Sequence, residues 1–326
     1  MNGSAASEPM SAVRIREISP RLGLQAHNVD TEIKIELVER LIAAGMKAIE
    51  VSSFVNPKLV PGLGDAETVF ARVPRVPGVS LECCVGNVTG LKRAIDAGAD
   101  AAWFLLATDE VFSRGNIGRT IDESLIELAR MREVAEGSSI KLGTYMIAVF
   151  GGPTGMARGP HDVAQLAHRL VEMDVKDWIL ADSCGYAAPP QIRAMVAFAA
   201  GLVGRERLNV QVHDSRGIGL ANVAELASIG LANIDLSLAG SGAHPAAPGA
   251  AAGGVCTEDA VQMLELMGVG TGLDLSALID TANWLDGHLG GKEKGFARRI
   301  GQVPTNEALM ETARALRGPF EWKTAG

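Results

Sequence analysis

Two periods of hydrophobic and polar positions alternate along the chain from Val13 onward. Short runs that alternate or are rich in β-branched residues read as strands. They fall at 13–18 (VRIREI), 48–54 (AIEVSSF), 79–85, 101–107, within 140–150, 177–181, 208–212 (LNVQV) and 233–238. Between them lie stretches with helical spacing. The first is capped by Asp30 or Thr31 and runs to Gly45, with Ile33, Leu37, Val38, Leu41 and Ile42 on one face. Further helices are expected at 67–72, up to 97, from Thr120, at 162–173, from Pro190, at 220–229 and from Thr257. Eight strand–helix units without a break predict an α/β chain closed as a TIM (β/α)8 barrel rather than an open sheet. The tail after Gly270 adds C-terminal helices that either cap the barrel or make a contact between subunits, so a homo-oligomer is expected.

Composition narrows this picture. At 326 residues and 47% hydrophobic, the chain is long for an ordinary domain but normal for one barrel. Residues 12–326 are expected to form that barrel domain with its helical extension. Residues 1–11 (MNGSAASEPMS) read as a flexible polar tail without the apolar core of a signal peptide. No stretch is long and apolar enough to span a membrane. A net charge of −8 argues against a nucleic-acid surface. The four cysteines, Cys83, Cys84, Cys184 and Cys256, form no Cys-x-x-Cys, which fits a reduced, cytoplasmic chain.

In such barrels the chemistry sits where the strands end at their C-terminal side. That rule selects Arg21, the run from Glu50 to Ser53, Asp109-Glu110, Asp182-Ser183, His213-Asp214 and the loop around His244. Glu50 lies inside an apolar strand, and a buried carboxylate needs a partner; Arg21 is the expected one. Arg21 either binds and polarises substrate or caps its loop. Asp182 either contacts ligand or caps a turn. His213 has the intrinsic range for proton transfer, or it satisfies a carbonyl at the rim. Lys58 and Arg114 on top-face loops either meet a phosphate or are simply solvated. The glycine- and alanine-rich segment 240–254 reads as a lid with available backbone amides.

Six ordered segments also carry a family resemblance: EISPRLGLQ (17–25), IEVSSFVNPKLVPGLGD (49–65), DEVFSRGNIGRTIDES (109–124), ADSCG (181–185), HDSRGIGLAN (213–222) and TEDAVQML (257–264). They resemble the 3-hydroxy-3-methylglutaryl-CoA lyase family over residues 13 to about 285. The resemblance implies a TIM barrel and a carbon–carbon lyase acting on a carboxylated 3-hydroxyacyl substrate linked to CoA. It also implies a divalent cation, Mg²⁺ or Mn²⁺, held by an aspartate, two histidines and an asparagine. Those positions here are Leu22, Gln211, His213 and Gly254. Three of the four lack a good ligand, and Mg²⁺ or Mn²⁺ prefers about six oxygen-rich donors, so the metal is not carried over; only His213 remains as a candidate ligand. The family's loop cysteine matches His244, its strand-5 arginine matches Gly143, and Arg216 stands where its lyases have an aromatic residue.

The expectation is therefore a lyase in which Arg21, His213, His244 and Glu50 act in catalysis and Asp182, Ser183, Arg216 and Lys58 bind substrate, with guanidinium groups taking over the Lewis-acid task. Two alternatives stay open at this point. One is a metal-independent hydrolase, decarboxylase or hydratase on the same barrel, and the other is a non-catalytic ligand-binding or regulatory homologue.

Overall fold

The computed structural model describes residues 12–152, 155–242 and 253–317. The expected tail 1–11 and His244, in the segment 243–252, lie outside the described residues. Eight strands run in order: β1 Arg14–Glu17, β2 Ala48–Phe54, β3 Ser80–Val85, β4 Ala101–Ala107, β5 Lys141–Ile147, β6 Trp178–Ala181, β7 Leu208–Gln211 and β8 Asn233–Leu236. Each pairs with the next, and β8 pairs in parallel with β1 through Arg16↔Asp235 and Glu17↔Leu236, which closes the barrel.

A parallel sheet covered by helices is buried on both faces, and this explains the alternation along the strands. Ile15, Ile49, Leu81, Val210 and Ile234 join the aliphatic core between barrel and helices. The polar positions between them, Arg16, Glu50, Glu82, Gln211 and Asp235, are also buried. Their alternation with the outward residues turns them toward the barrel axis, not toward water.

The connecting helices follow the sequence signals closely. Thr120 accepts from Glu123 N while the Glu123 carboxylate accepts from Thr120 N, a reciprocal cap that starts the helix Ile121–Glu136. After β1 the chain makes a single helical turn, Ser19–Leu22, with Pro20 in its first turn, where its fixed φ suits a helix start. That turn carries Arg21 off the end of β1.

The C-terminal extension packs on its own barrel. The helix Leu275–Leu289 lies beside the helix Thr31–Ala43, with Asp274 N donating to Ala44 O at 3.0 Å and the Arg40 guanidinium over the Trp284 ring at 4.7 Å. The chain then runs beside the segment that follows β8, where Lys294 N donates to Ala239 O, and the Asp259 carboxylate accepts from Phe296 N and Ala297 N. Among the described residues no helix is long and apolar enough to cross a membrane.

Candidate active site

The barrel interior holds an ionic lattice centred on Arg16. Its guanidinium donates to Glu82 Oε2 at 2.6 Å, Asp235 Oδ2 at 2.6 Å, Glu50 Oε1 at 2.7 Å and the Tyr145 hydroxyl at 2.8 Å. It also lies over the rings of Trp103 and Tyr145, 5.2 and 5.8 Å from their centroids. Trp103 Nε1 completes the cage with a 2.7 Å hydrogen bond to Glu82 Oε2. Burial opposes charge on Arg16, but Asp235, Tyr145, Glu50 and Glu82 outweigh it, so the guanidinium stays protonated. Burial likewise raises the Asp235 carboxyl, with Arg16 and Asn209 pulling the other way.

Gly143 on β5 makes room for this arrangement. It pairs directly with Trp103, and a Cβ there would lie 2.6 Å from Trp103 Cε3 and 2.8 Å from Asp177 O. The indole thus fills the space that a side chain at position 143 would need. The interior guanidinium is supplied by β1 instead of by residue 143.

Arg21 is the member of the lattice that reaches the barrel mouth. Its Nε donates to Glu50 Oε2 at 2.5 Å and its Nη2 to the Tyr145 hydroxyl at 3.3 Å. The Arg21 side chain keeps 11% of its surface exposed, against 2% for Arg16 and none for Glu50. Burial would raise the Glu50 carboxyl, yet Arg21 and Arg16 together hold it at about 2. The pairing expected for a carboxylate inside an apolar strand is thus present, with a second arginine added. Next to it, Glu17 accepts from Ser19 N and Leu238 N at 2.9 Å and from Thr257 Oγ1 at 2.6 Å. This ties the turn bearing Arg21 to the end of β8 and to the helix Thr257–Leu266.

Asp182, Ser183, His213 and Arg216 come together where β6 and β7 end. Asp182 Oδ1 accepts from Tyr186 N at 2.8 Å and Ala187 N at 3.2 Å, while Oδ2 is buried with no hydrogen-bond partner. Burial pushes its carboxyl up to about 6, with these amides and Arg216 opposing. Ser183 Oγ accepts from Ala148 N at 3.0 Å, so the hydroxyl bridges the ends of β5 and β6. His213 is 2% exposed, and burial, Arg21 and Lys294 bring its imidazole down to about 4 against a backbone hydrogen bond with Asp182. It is therefore neutral at pH 7, a proton acceptor weaker than the sequence suggests. Arg216 donates to Cys184 O and stacks on the Tyr186 ring at 4.6 Å, which makes a wall beside Asp182.

The donor set at the family's cation positions is poor. Leu22 is fully buried and hydrocarbon. Gly254 has no side chain, its backbone bridges to His213, and a Cβ there would sit 2.8 Å from Ser237 Cβ. Gln211 offers a neutral amide and His213 one imidazole. The nearby carboxylates Glu50 and Glu17 are committed to the contacts above. Among the described residues no group of three or more His, Cys, Asp or Glu side chains could hold a metal ion. These residues do not fit a Mg²⁺ or Mn²⁺ site.

Lys58 is exposed on the loop after β2, its backbone N held by the Asn56 side chain at 3.0 Å. The Arg114 guanidinium is engaged by Glu110 at 3.0 Å. Neither is brought into the lattice. Sequence reasoning did not single out Arg16, Glu82, Tyr145, Asp235 or Lys294. The first four had a signal, since each is polar at an inward position of a strand buried on both faces. Lys294 had none, because only the fold brings the tail to Asp214 O, 3.0 Å from its Nζ.

The profile of the HMGL-like family matches residues 12–285. The mitochondrial hydroxymethylglutaryl-CoA lyase of Arabidopsis thaliana is 36% identical over 280 residues, which are 85% of this chain and 60% of that protein. A 3-hydroxy-3-isohexenylglutaryl-CoA/hydroxymethylglutaryl-CoA lyase of Pseudomonas aeruginosa is 35% identical over 280 residues, 85% of this chain and 93% of the relative. Among solved structures, an HMG-CoA lyase from Acinetobacter baumannii in complex with coenzyme A and 3-methylmalate superposes with a TM-score of 0.86 at 31% identity, covering 90% of this chain and 97% of that one.

Proposed function

The chain belongs to the HMGL-like family, and on that premise we propose that it is a carbon–carbon lyase that cleaves a carboxylated 3-hydroxyacyl-CoA. A base takes the proton of the tertiary hydroxyl, the C2–C3 bond breaks to leave a ketone, and the electron pair passes to the thioester as an enolate. Protonation of that enolate at carbon completes the cleavage.

Arg21 carries this reading. It is a permanent cation, fixed by Glu50 and Tyr145 and facing the barrel mouth, where negative charge develops on the breaking substrate. A preorganised guanidinium needs no reorganisation when that charge appears. His213, whose imidazole feels the Arg21 charge, is the proton carrier beside it, and Asp182, Ser183 and Arg216 line the corner where β6 and β7 end as substrate contacts. His244 is proposed as an acid–base group from the segment 243–252, and Lys58 as a contact to the CoA phosphates. Support for the thioester comes from the relatives, whose names specify glutaryl-CoA derivatives, and from the neighbour that holds coenzyme A. These relatives are lyases, so the hydrolase, decarboxylase, hydratase and non-catalytic alternatives are not favoured.

The experiment is to incubate the protein with HMG-CoA and with analogues carrying longer 3-substituents, and to follow acetyl-CoA and the keto acid by mass spectrometry. Equimolar release of both products is expected from at least one of them. Thioester hydrolysis without carbon–carbon cleavage would overturn the reading.

A further inference from the structure

We propose that the electropositive centre of this active site is built from protein alone, by Arg21 seated on the Glu50–Arg16–Tyr145 lattice, and that it takes the place of a divalent cation. The reaction that it serves is the cleavage proposed above; its claim about cation binding is independent of that reading.

The argument starts from donors. A hard divalent ion needs several oxygen ligands, commonly with carboxylates among them. At the ends of β1, β7 and β8 the chain offers Leu22, Gln211, His213 and Gly254. The position at 254 cannot carry a donor without displacing Ser237. Glu50, the carboxylate nearest Arg21, spends one oxygen on each arginine. At the end of β6, Asp182 has one carboxylate oxygen without a hydrogen-bond partner; with one imidazole and one amide, the donors among the described residues are short of a coordination shell.

Charge points the same way. Arg21 and Arg16 already bring two positive charges to Glu50, and the Lys294 ammonium adds a third cation nearby, donating to Asp214 O at 3.0 Å. A doubly charged ion placed there would meet their repulsion without an added carboxylate to offset it. The packing is consistent with this. Leu22 lies so close to Gly242 that a Cβ there would sit 2.8 Å from Leu22 Cγ, and this fully buried leucine occupies the position on the turn at which an oxygen donor would be needed.

Arg16 has a distinct task in this arrangement. It does not reach the mouth and acts as a positioning residue, since it orients the carboxylate and the phenol that hold Arg21. A guanidinium is suited to both jobs, because its fixed fork engages several acceptors at once and its charge does not titrate in the working range.

The test is titration of the chelator-free protein with Mn²⁺, read by electron paramagnetic resonance and calorimetry and needing no substrate. The wild type is expected to bind no stoichiometric Mn²⁺ up to ~1 mM, whereas the Leu22→Asp/Gln211→His double variant, which adds two donors, is expected to gain affinity by about tenfold or more. One Mn²⁺ bound per wild-type chain at micromolar concentration would overturn the proposal, whether or not the double variant folds. On the reaction itself, EDTA and added Mn²⁺ should each change turnover by less than about twofold, and a rise of about tenfold with cation would overturn it. Arg16→Lys is expected to lower kcat with KM little changed, and Arg16→Gln more so; equal kcat in a folded Arg16→Gln variant would remove Arg16 from its positioning role. If no thioester is cleaved, the lyase reading fails while the Mn²⁺ titration still decides the question of the cation.

Discussion

Arg16 and Arg21 hold opposite oxygens of one carboxylate: Arg16 Nη2 is 2.7 Å from Glu50 Oε1, and Arg21 Nε is 2.5 Å from Oε2. Two guanidiniums on one buried anion make that anion hard to replace. Glu50→Gln keeps the shape but leaves both cations short of charge. It should cost about 3–5 kcal/mol of stability, the usual result of breaking a buried pair. Urea unfolding of the variant beside the wild type measures this, and a loss below about 1 kcal/mol would mean that Glu82 and Asp235 carry Arg16 without it.

The contact between Gly143 and Trp103 makes a second prediction. Gly143→Ala pushes a methyl group into the indole and toward Asp177 O, and should destabilise the barrel by about 1–3 kcal/mol. Gly143→Ala/Trp103→Phe should recover part of that loss, because the smaller ring frees the space, although Glu82 then loses a hydrogen-bond donor. A double-mutant cycle on unfolding free energies gives the coupling. Strict additivity would show that the two residues do not share the space.

Glu258 supplies a pH prediction. It is buried on the helix Thr257–Leu266, where Ala239 N donates to its Oε2 at 3.0 Å. Burial pushes its carboxyl from 4.5 up to about 8. The folded chain thus holds this proton over a range in which the unfolded chain has lost it. The resulting stability is complete below 4.5 and is lost as pH rises toward about 8. His213 acts with the opposite sense: its stability falls on acidification from 6.5 toward about 4, because only the unfolded imidazole takes up the proton. Comparing Glu258→Gln with wild type cancels the His213 contribution. The wild type should lose Tm relative to the variant between pH 5 and 8, and parallel Tm curves would contradict the assignment.

The placement of Arg216 leads to a prediction that separates binding from chemistry. Because it stacks on Tyr186 and is fixed to Cys184 O, it forms a wall of the site and does not join the lattice. Arg216→Ala should raise KM by about tenfold or more and lower kcat less, since it removes binding common to ground and transition states. Arg21→Met should instead cost about 10²–10³ in kcat, the range seen on removing one preorganised stabilising donor. Steady-state kinetics on the substrate found by product analysis distinguishes the two patterns.

Much of the barrel was legible because its signals are local. Polar and apolar residues alternate in VRIREI and LNVQV, Thr120 and Glu123 cap reciprocally, and turns recur at the spacing of one strand–helix unit. The strand-end rule also pointed to Arg21, Asp182 and His213, which lie just past the ends of β1, β6 and β7, and to Glu50, which lies within β2 and pairs with Arg21. The lattice was harder to see because its members lie far apart in the chain; Arg16 and Asp235 are neighbours only once β8 closes on β1. Alternation alone leaves open whether Arg16 faces water or the axis. Closure decides it, since helices cover the outer face and leave the inner one for charge. The weak basicity of His213 was likewise hidden, because it follows from burial and from Arg21 and Lys294 nearby, not from the motif around it.

Gly240 and Gly253 meet backbone to backbone, so closely that a Cβ on Gly253 would collide with Gly240 O. Chain leaving the barrel after residue 240 therefore returns to its point of departure. Whatever is spliced between these glycines is closed at a fixed seam, and a twofold longer insert adds only about 0.6 kcal/mol in loop entropy. A side chain at position 253 would force this seam apart, so the closing contact between the end of β8 and the bridge from Gly254 to His213 rests on glycine there.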